Sequence, residues 1–257
     1  MPVDRHAGAL EVAGLFAALS EELLAEHDEK ALLDTVCQRA GEFVPGVDFS
    51  GITLRGPRRR LETACETGEI ARHCDALQRE LGEGPCLEAA HDVQRLFVSA
   101  DVACDERWPR WGPRAAELGA RALLSVQLSS GTISEEHAPL GALNLYGSEP
   151  DRFGEHEVEV ARLYGLHAAN ALAQARLLGG LRTAVESRHA IGIAQGILAQ
   201  RYEIDADTAF DVLQRYSTTT NTKLRHVARQ VVEGGGLPEQ RDDEPPQDEP
   251  PQSASPA

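Results

Sequence analysis

The residue types best suited to chemistry gather between positions 188 and 225 of this 257-residue chain. Arg188, Arg201, Arg215, Lys223 and Arg225 are cations that can pair with phosphates, and arginine also stacks on bases. Ser217 and Asn221 sit in a polar run, Ser217-Thr218-Thr219-Thr220-Asn221, where hydroxyl and amide groups can read base edges. Gly196 lets a partner backbone or a nucleic acid approach closely. The charge distribution points the same way. The chain is net −16, yet residues 181–234 hold seven Lys+Arg against six Asp+Glu, while residues 1–180 are net −12 and residues 235–257 net −5. The stretch is the only part that is not acidic, which permits contact with a polyanion.

Elsewhere the spacing needed for chemistry is missing. Five cysteines (Cys37, Cys65, Cys74, Cys86, Cys104) are odd in number, widely spaced and form no CxxC pair. Neither a disulfide frame nor a zinc site is expected, and isolated thiols are. Cys86, beside a Gly-Pro turn, could be a redox thiol but reads better as a small packed hydrophobe. His73, His91 and His137 have no metal spacing. No nucleophile–base arrangement or carboxylate pair is placed by any motif. Catalysis, metal and cofactor are therefore not expected. No apolar run reaches the ~20 residues of a membrane helix, and the N-terminus lacks a signal-peptide pattern. A cytoplasmic protein without a membrane is the expectation.

The elements that would position these residues follow from periodicity. Residues 8–27 place Leu10, Leu15, Leu19 and Leu23 at helical spacing, and a second helix from Lys30 stops before Pro45-Gly46. DFSGITL and LETAC read as strands joined by the basic turn Gly56-Pro57-Arg58-Arg59-Arg60. A helix over 69–81 ends at Gly82, and a tight turn, LGEGPC, opens a short helix. RLFVS is a short strand, and Trp108 and Trp111 are expected to be structural. ALLSVQL and LGALNLY, apolar on both faces, are central strands. From Glu155 a long helix shows two apolar stripes. One runs Ala161, Tyr164, Ala168, Ala171, Ala175, Leu178, and the other runs Leu163, Leu166, Asn170, Ala173, Leu177. A helix with two stripes can pack on its own domain and on a partner, with the 3–4 spacing of a coiled-coil seam. Gly179-Gly180 is expected to kink or briefly break it. Beyond, three short helices carry stripes of their own, with Asp205 as N-cap of the second and the 217–221 run ending it.

The run LGEGPCLEA, then DERWPRW, GARALLSVQL and LGALNLYGSEPDRF, resembles the GAF sensory domain over roughly residues 9–175. The resemblance implies an antiparallel sheet flanked by helices, with a pocket for a small ligand. The ligand-binding residues stay unassigned. The pieces SRHAIGIAQGIL, DTAFDVLQRYS and NTKLRHVA resemble the ANTAR module over about 181–235. That resemblance implies a small all-α three-helix output that dimerises through its first helix. It also implies binding to tandem RNA hairpins in nascent transcripts, suppressing termination. Where that family commonly has Ala-Lys-Gly, this chain has Ala194-Gln195-Gly196, so Gln195 joins the candidate RNA contacts in place of a cation.

The sequence is thus identified as a GAF–ANTAR regulator of the actinobacterial type. Residues 1–178 form an α/β GAF domain with a connecting helix from about 155. Residues 179–235 form the ANTAR module. Residues 236–257 form an acidic, proline-rich tail that is expected to be disordered. The expected function is a dimeric antitermination regulator that responds to an unknown small-molecule or protein signal. Two other readings stay open, a DNA-binding regulator and a dimerisation protein that has lost RNA binding.

Overall fold

The computed structural model describes residues 5–56, 60–91, 96–130 and 139–237, the side chains of 5–12, 90 and 91 excepted. Arg58 and Arg59 of the basic turn, His137 and the acidic tail beyond Leu237 lie outside the described residues, as do the side chains of Leu10 and His91. The chain divides into two compact units, Met1–Gly180 and Leu181–Ala257.

In the first unit, α1 (Arg5–Ala25) and α2 (Glu29–Phe43) precede the strands β1 (Phe49–Arg55) and β2 (Leu61–Glu66). Helices α3 (Gly68–Leu81) and α4 (Pro85–His91), strand β3 (Leu96–Ser99) and helix α5 (Trp111–Glu117) follow, then β4 (Ala122–Leu128) and β5 (Gly141–Gly147). The five strands make one sheet in the order β2-β1-β5-β4-β3, antiparallel at every pairing. A strand turns successive side chains to opposite faces. One face therefore carries Ile52, Leu54, Leu124, Val126, Leu128, Leu143 and Leu145 into a core with α1, α2 and the first part of α6 (Glu155–Tyr202). The other carries Leu123, Ala142 and Tyr146 into a second core with α3, α4 and α5. Covered on both sides, β4 and β5 are buried throughout, as their largely apolar sequences require.

Two of the four stretches on which the GAF resemblance rests, LGEGPCLEA and DERWPRW, hold each other in place. Glu83 accepts the backbone N–H groups of Arg110 and Trp111 at 2.7 and 2.8 Å, capping the start of α5. Trp108 Nε1 donates to Glu88 at 2.8 Å, and Trp111 Nε1 donates to the Cys74 carbonyl at 3.0 Å. Both tryptophans are fully buried, edge to face. They are structural.

Three expectations need correction. Helix α6 runs unbroken from Glu155 to Tyr202, carrying Gly179-Gly180 without a stop. Two interior glycines cost about 2 kcal/mol, but no cap, proline or competing side chain flanks them, and propagation adds a hydrogen bond per residue once a helix exists. Second, Cys37 and Cys65 are not isolated thiols but are joined in a disulfide, with their Cα atoms 6.7 Å apart. The inner face of α2 crosses the edge strand β2, a tertiary juxtaposition that spacing in sequence does not encode. Third, Leu15 of the first stripe is exposed, and Phe16 takes the buried place on α1. The 217–221 run ends the second module helix as expected: α7 (Ala206–Thr219) keeps Ser217, Thr218 and Thr219 in its last turn and stops before Asn221. Thr218 Oγ1 donates to the Gln214 carbonyl at 3.0 Å and Thr220 Oγ1 to that of Tyr216 at 2.8 Å, so these hydroxyls spend themselves on the helix.

Candidate functional site

In the second unit the last turns of α6, helix α7 and helix α8 (Leu224–Gly234) share a core of Ala194, Leu198, Ala209, Leu213, Val227, Ala228 and Val231. Asp205 caps α7 as its position demands, accepting the Thr208 N–H at 2.8 Å. This small core turns the nine candidate residues outward in separate groups.

Arg188, Gln195 and Gly196 lie on α6. Residues seven apart fall nearly on one helix face, so Arg188 and Gln195 share a side. Gln195 is half-buried and its amide donates to the Ala206 carbonyl at 3.1 Å, tying α6 to the start of α7. Gly196 is exposed, and a Cβ there would meet nothing within 4 Å. Ser217, Asn221, Lys223 and Arg225 gather at the junction of α7 and α8. Ser217 Oγ donates to the Thr222 carbonyl at 2.6 Å, and Asn221 takes the left-handed conformation at φ 51°. Both residues shape the turn, and the Asn221 side chain remains exposed. Lys223 stands at the N-terminus of α8, which no side chain caps, and Arg225 is in its first turn. Arg215 lines a shallow depression of about 200 Å³ with Val212, Tyr216, Thr219 and Leu237. Arg201 stands apart. Its guanidinium donates to the Gly235 carbonyl at 2.8 Å, closing the chain end of α8 onto α6.

The use of charge differs between the two units. In the first, Arg39, Arg72, Arg107, Arg110, Arg114, Arg121, Arg152, Arg162 and Arg176 pair with carboxylates, while Arg55 and Arg79 do not among the described residues. In the second, Arg182 pairs with Glu186. Among the described residues, Arg188, Arg215, Lys223, Arg225 and Arg229 enter no ion pair. The counts of acid and base are nearly equal there, so scarcity of carboxylates is not the reason.

The first unit holds a polar cluster that sequence reading missed. Thr53, Ser125, Gln127, Asn144 and Tyr146 all project to the sheet face under α3 and α4, and Asp75 of α3 meets them fully buried. Tyr146 Oη donates to Asp75 Oδ1 at 2.6 Å and Asn144 Nδ2 donates to the same oxygen at 3.2 Å. Ser125 donates to Asn144 at 2.7 Å. Gly51 makes room for the acid, since a Cβ there would lie 2.9 Å from Asp75 Oδ2. Gln78 accepts the Cys86 N–H at 2.8 Å and donates to Tyr146 Oη at 3.3 Å, locking the first turn of α4 to α3. Burial pushes the Asp75 carboxyl up to about 6, against the opposing pull of Tyr146, Arg79 and Asn144, while Glu66 adds to the rise. Burial likewise raises the thiols of Cys74, to about 12, and Cys86, with the Asp75 charge adding to both. Such thiols stay protonated and inert, so Cys86 is a packed hydrophobe. The signal was present in the sequence: polar residues at alternate positions within otherwise apolar strands, as in ALLSVQL and LGALNLY.

No helix among the described residues is long and apolar enough to cross a membrane, and no group of metal-ligating side chains occurs among them. The described fold resembles several solved structures. The photosensory core module of a Stigmatella aurantiaca phytochrome matches at a TM-score of 0.55 and 11% identity, over 87% of this chain and 47% of that one. The bacteriophytochrome RpBphP3 of R. palustris matches at 0.52 and 9%, over 77% and 43%. Free methionine-R-sulfoxide reductase from Neisseria meningitidis matches at 0.50 and 17%, over 65% and 91%. These likenesses speak for the fold alone. No curated protein is similar in sequence at a significant level. The family model of the GAF domain matches residues 26–173, more than half of the chain, and that of the ANTAR domain matches residues 180–232. The chain belongs to the GAF domain family and carries an ANTAR domain behind it, the architecture of a GAF–ANTAR signalling and transcription regulator.

Proposed function

We propose that this chain is a signal-responsive antitermination regulator that binds tandem RNA hairpins through residues 179–235, with residues 1–178 as its sensor. The observation that carries this reading is the set of unpaired cations. An arginine that could pair with a nearby acid yet stays free is available to a phosphate, and binding then releases the counterions of the nucleic acid. Lys223, Arg225 and the uncapped N-terminus of α8 form one such place, because free N–H groups and the helix dipole both favour an anion. The exposed Asn221 amide beside them suits the unstacked bases of a hairpin loop. Arg188 and Gly196 offer a second contact on α6. Arg201 is better assigned to holding the module together than to RNA.

A second copy of this chain is the proposed partner. The α6 stripe of Leu163, Leu166 and Leu177 is 47%, 47% and 63% exposed, beside a fully buried stripe of Ala161, Tyr164 and Leu172. Exposed leucines at seam spacing suit a like helix. The Asp75 cluster is the proposed seat of a small-molecule signal. The regulator acts on transcripts inside the cell, and the residues beyond 236 are assigned to a tail.

Binding of a tandem-hairpin RNA, a single hairpin and a duplex DNA of equal length at matched salt tests the reading. Tightest binding to the tandem hairpin is expected. Preference for the duplex would replace it with a DNA regulator, and absence of binding to any of the three would leave a dimerisation protein.

A further inference from the structure

We propose that Cys37 and Cys65 form a reversible thiol-oxidation site through which a hydroperoxide acts on the sensory unit. The pair joins α2 to β2 across 28 residues, with the Cα separation of 6.7 Å that a disulfide accommodates. The site is built for the open form as well. Cys65 Sγ lies 3.1 Å from the Leu33 carbonyl of α2. A disulfide sulfur has no proton to donate, so this contact becomes a hydrogen bond only in the dithiol, to a carbonyl that already belongs to the α2 helix.

Access and consequence are both visible in the fold. Strand β2 is an edge of the sheet, bonded on one side to β1, and its register slips between Ile52 and Thr53, next to the partner of Cys65. Edge strands open locally at lower cost than central ones. Cys37 and Cys65 are otherwise almost wholly buried, so hydrogen peroxide and a small dithiol reach them through such an opening. On the other side of the bridge, Tyr164 of α6 donates to the carbonyl of Val36 at 2.7 Å, and Ser50 of β1 donates to that of Cys37 at 2.7 Å. The turn of α2 that bears the sulfur is therefore gripped by α6 and by the sheet. Closing or opening the bridge changes the freedom of that turn and of the α6 segment that holds it.

The chemistry balances. The two thiols give up two protons and two electrons and form one S–S bond. The O–O bond of hydrogen peroxide breaks, accepts them and leaves as two waters. A dithiol reductant reverses the step and becomes a disulfide itself. The proposal rests on the intracellular reading above in one respect. Persistent bridges are out of place where thiols are kept reduced, whereas transient ones are the rule for redox sensing.

The test uses the full chain carrying Cys104→Ser, which removes the exposed free thiol. After reduction by dithiothreitol, hydrogen peroxide is added and peptides are mapped by mass. Backbone amide exchange is then followed in α2 and in residues 160–176. The expected result is closure of the Cys37–Cys65 link by peroxide and its opening by dithiothreitol in the folded protein. Exchange at both segments should slow by about tenfold in the closed form. Cys65→Ala should abolish the response, and if that variant folds poorly the parent chain still decides. A bridge that opens only in denaturant, a pair that peroxide never closes, or closure without any change at 160–176 would each overturn the proposal. No readout involves RNA, so a failure of the antitermination reading is registered separately.

Discussion

Gly196 is a residue whose role can be separated from its cost. Nothing in the chain needs it, since a Cβ would enter open space, and a glycine inside an exposed helix costs about 1 kcal/mol relative to alanine. Gly196→Ala should therefore raise the unfolding free energy by about 0.5–1 kcal/mol, read from urea midpoints, while weakening hairpin RNA binding several-fold. Unchanged affinity would remove Gly196 from the interface. Arg201→Ala should act in the opposite sense. Loss of the bond to the Gly235 carbonyl should cost about 1 kcal/mol of module stability and leave RNA affinity of the folded protein nearly as it was. Asp75 makes a prediction in pH. Its carboxyl titrates near 3.8 in an unfolded chain and near about 6 when folded, so between those values the folded state keeps a proton that the unfolded state has released. The contribution of Asp75 to stability is complete below about pH 4 and is lost as pH rises through about 6. Asp75→Asn keeps an acceptor for Tyr146 and Asn144 and removes the charge. Its stability relative to the parent should rise by about 3 kcal/mol between pH 4 and pH 7.5, in paired denaturation curves. A constant difference across that range would show that the acid is not held neutral by its site.

Helix α6 illustrates how far an element can be read before folding is seen. Its stripe from Ala161 to Ala175 was legible from spacing, because burial on one face follows from a 3.6-residue turn, whereas Leu178 at its end is exposed and Leu172, in neither stripe, is buried. Its continuity through Gly179-Gly180 was not legible, since a local penalty of about 2 kcal/mol says nothing of the many hydrogen bonds on either side. Strands β4 and β5 were plain from their apolar runs, and Asp205 from its cap position. The disulfide was invisible for a different reason: two cysteines 28 residues apart meet only through the crossing of α2 and β2. The polar cluster had a signal, alternate polar positions in apolar strands, but its centre, Asp75, lies on a helix where nothing marks it. The nine candidate residues were legible as chemistry and not as geometry. Gln195, Arg201 and Ser217 turn out to be bonded within the module, whereas Arg188, Arg215, Lys223 and Arg225 are left without carboxylate partners. At this scale the dimer proposal is tested by Leu166→Glu together with Leu177→Lys. Both positions are exposed, so the protomer should keep its melting temperature within about 2 °C, while sedimentation should show the dimer shifted to monomer. Unchanged sedimentation would place the dimer contact elsewhere.

Taken whole, the molecule is strongly acidic at −16, and the interaction with RNA proposed for it is accordingly local. A net-repelled polyanion binds only where unpaired cations meet it, so affinity should fall steeply with salt. Lys223→Ala and Arg225→Ala should each lower the slope of log affinity against log salt by about 1 and weaken binding alike for all hairpin sequences. A variant that changes affinity without changing the slope would not be a phosphate contact. The sheet of the first unit carries one more implication. It is lined by hydrocarbon on the side of α1, α2 and α6, and by Thr53, Ser125, Gln127, Asn144 and Tyr146 on the other. Inheritance can therefore act on the two sides independently. On the proposal that the Asp75 cluster seats the signal, substitutions under α3 and α4 retune which signal is recognised, generation by generation, while the core under α1, α2 and α6 keeps its form. Such a sheet is a partition between what is free to diversify and what the lineage must preserve.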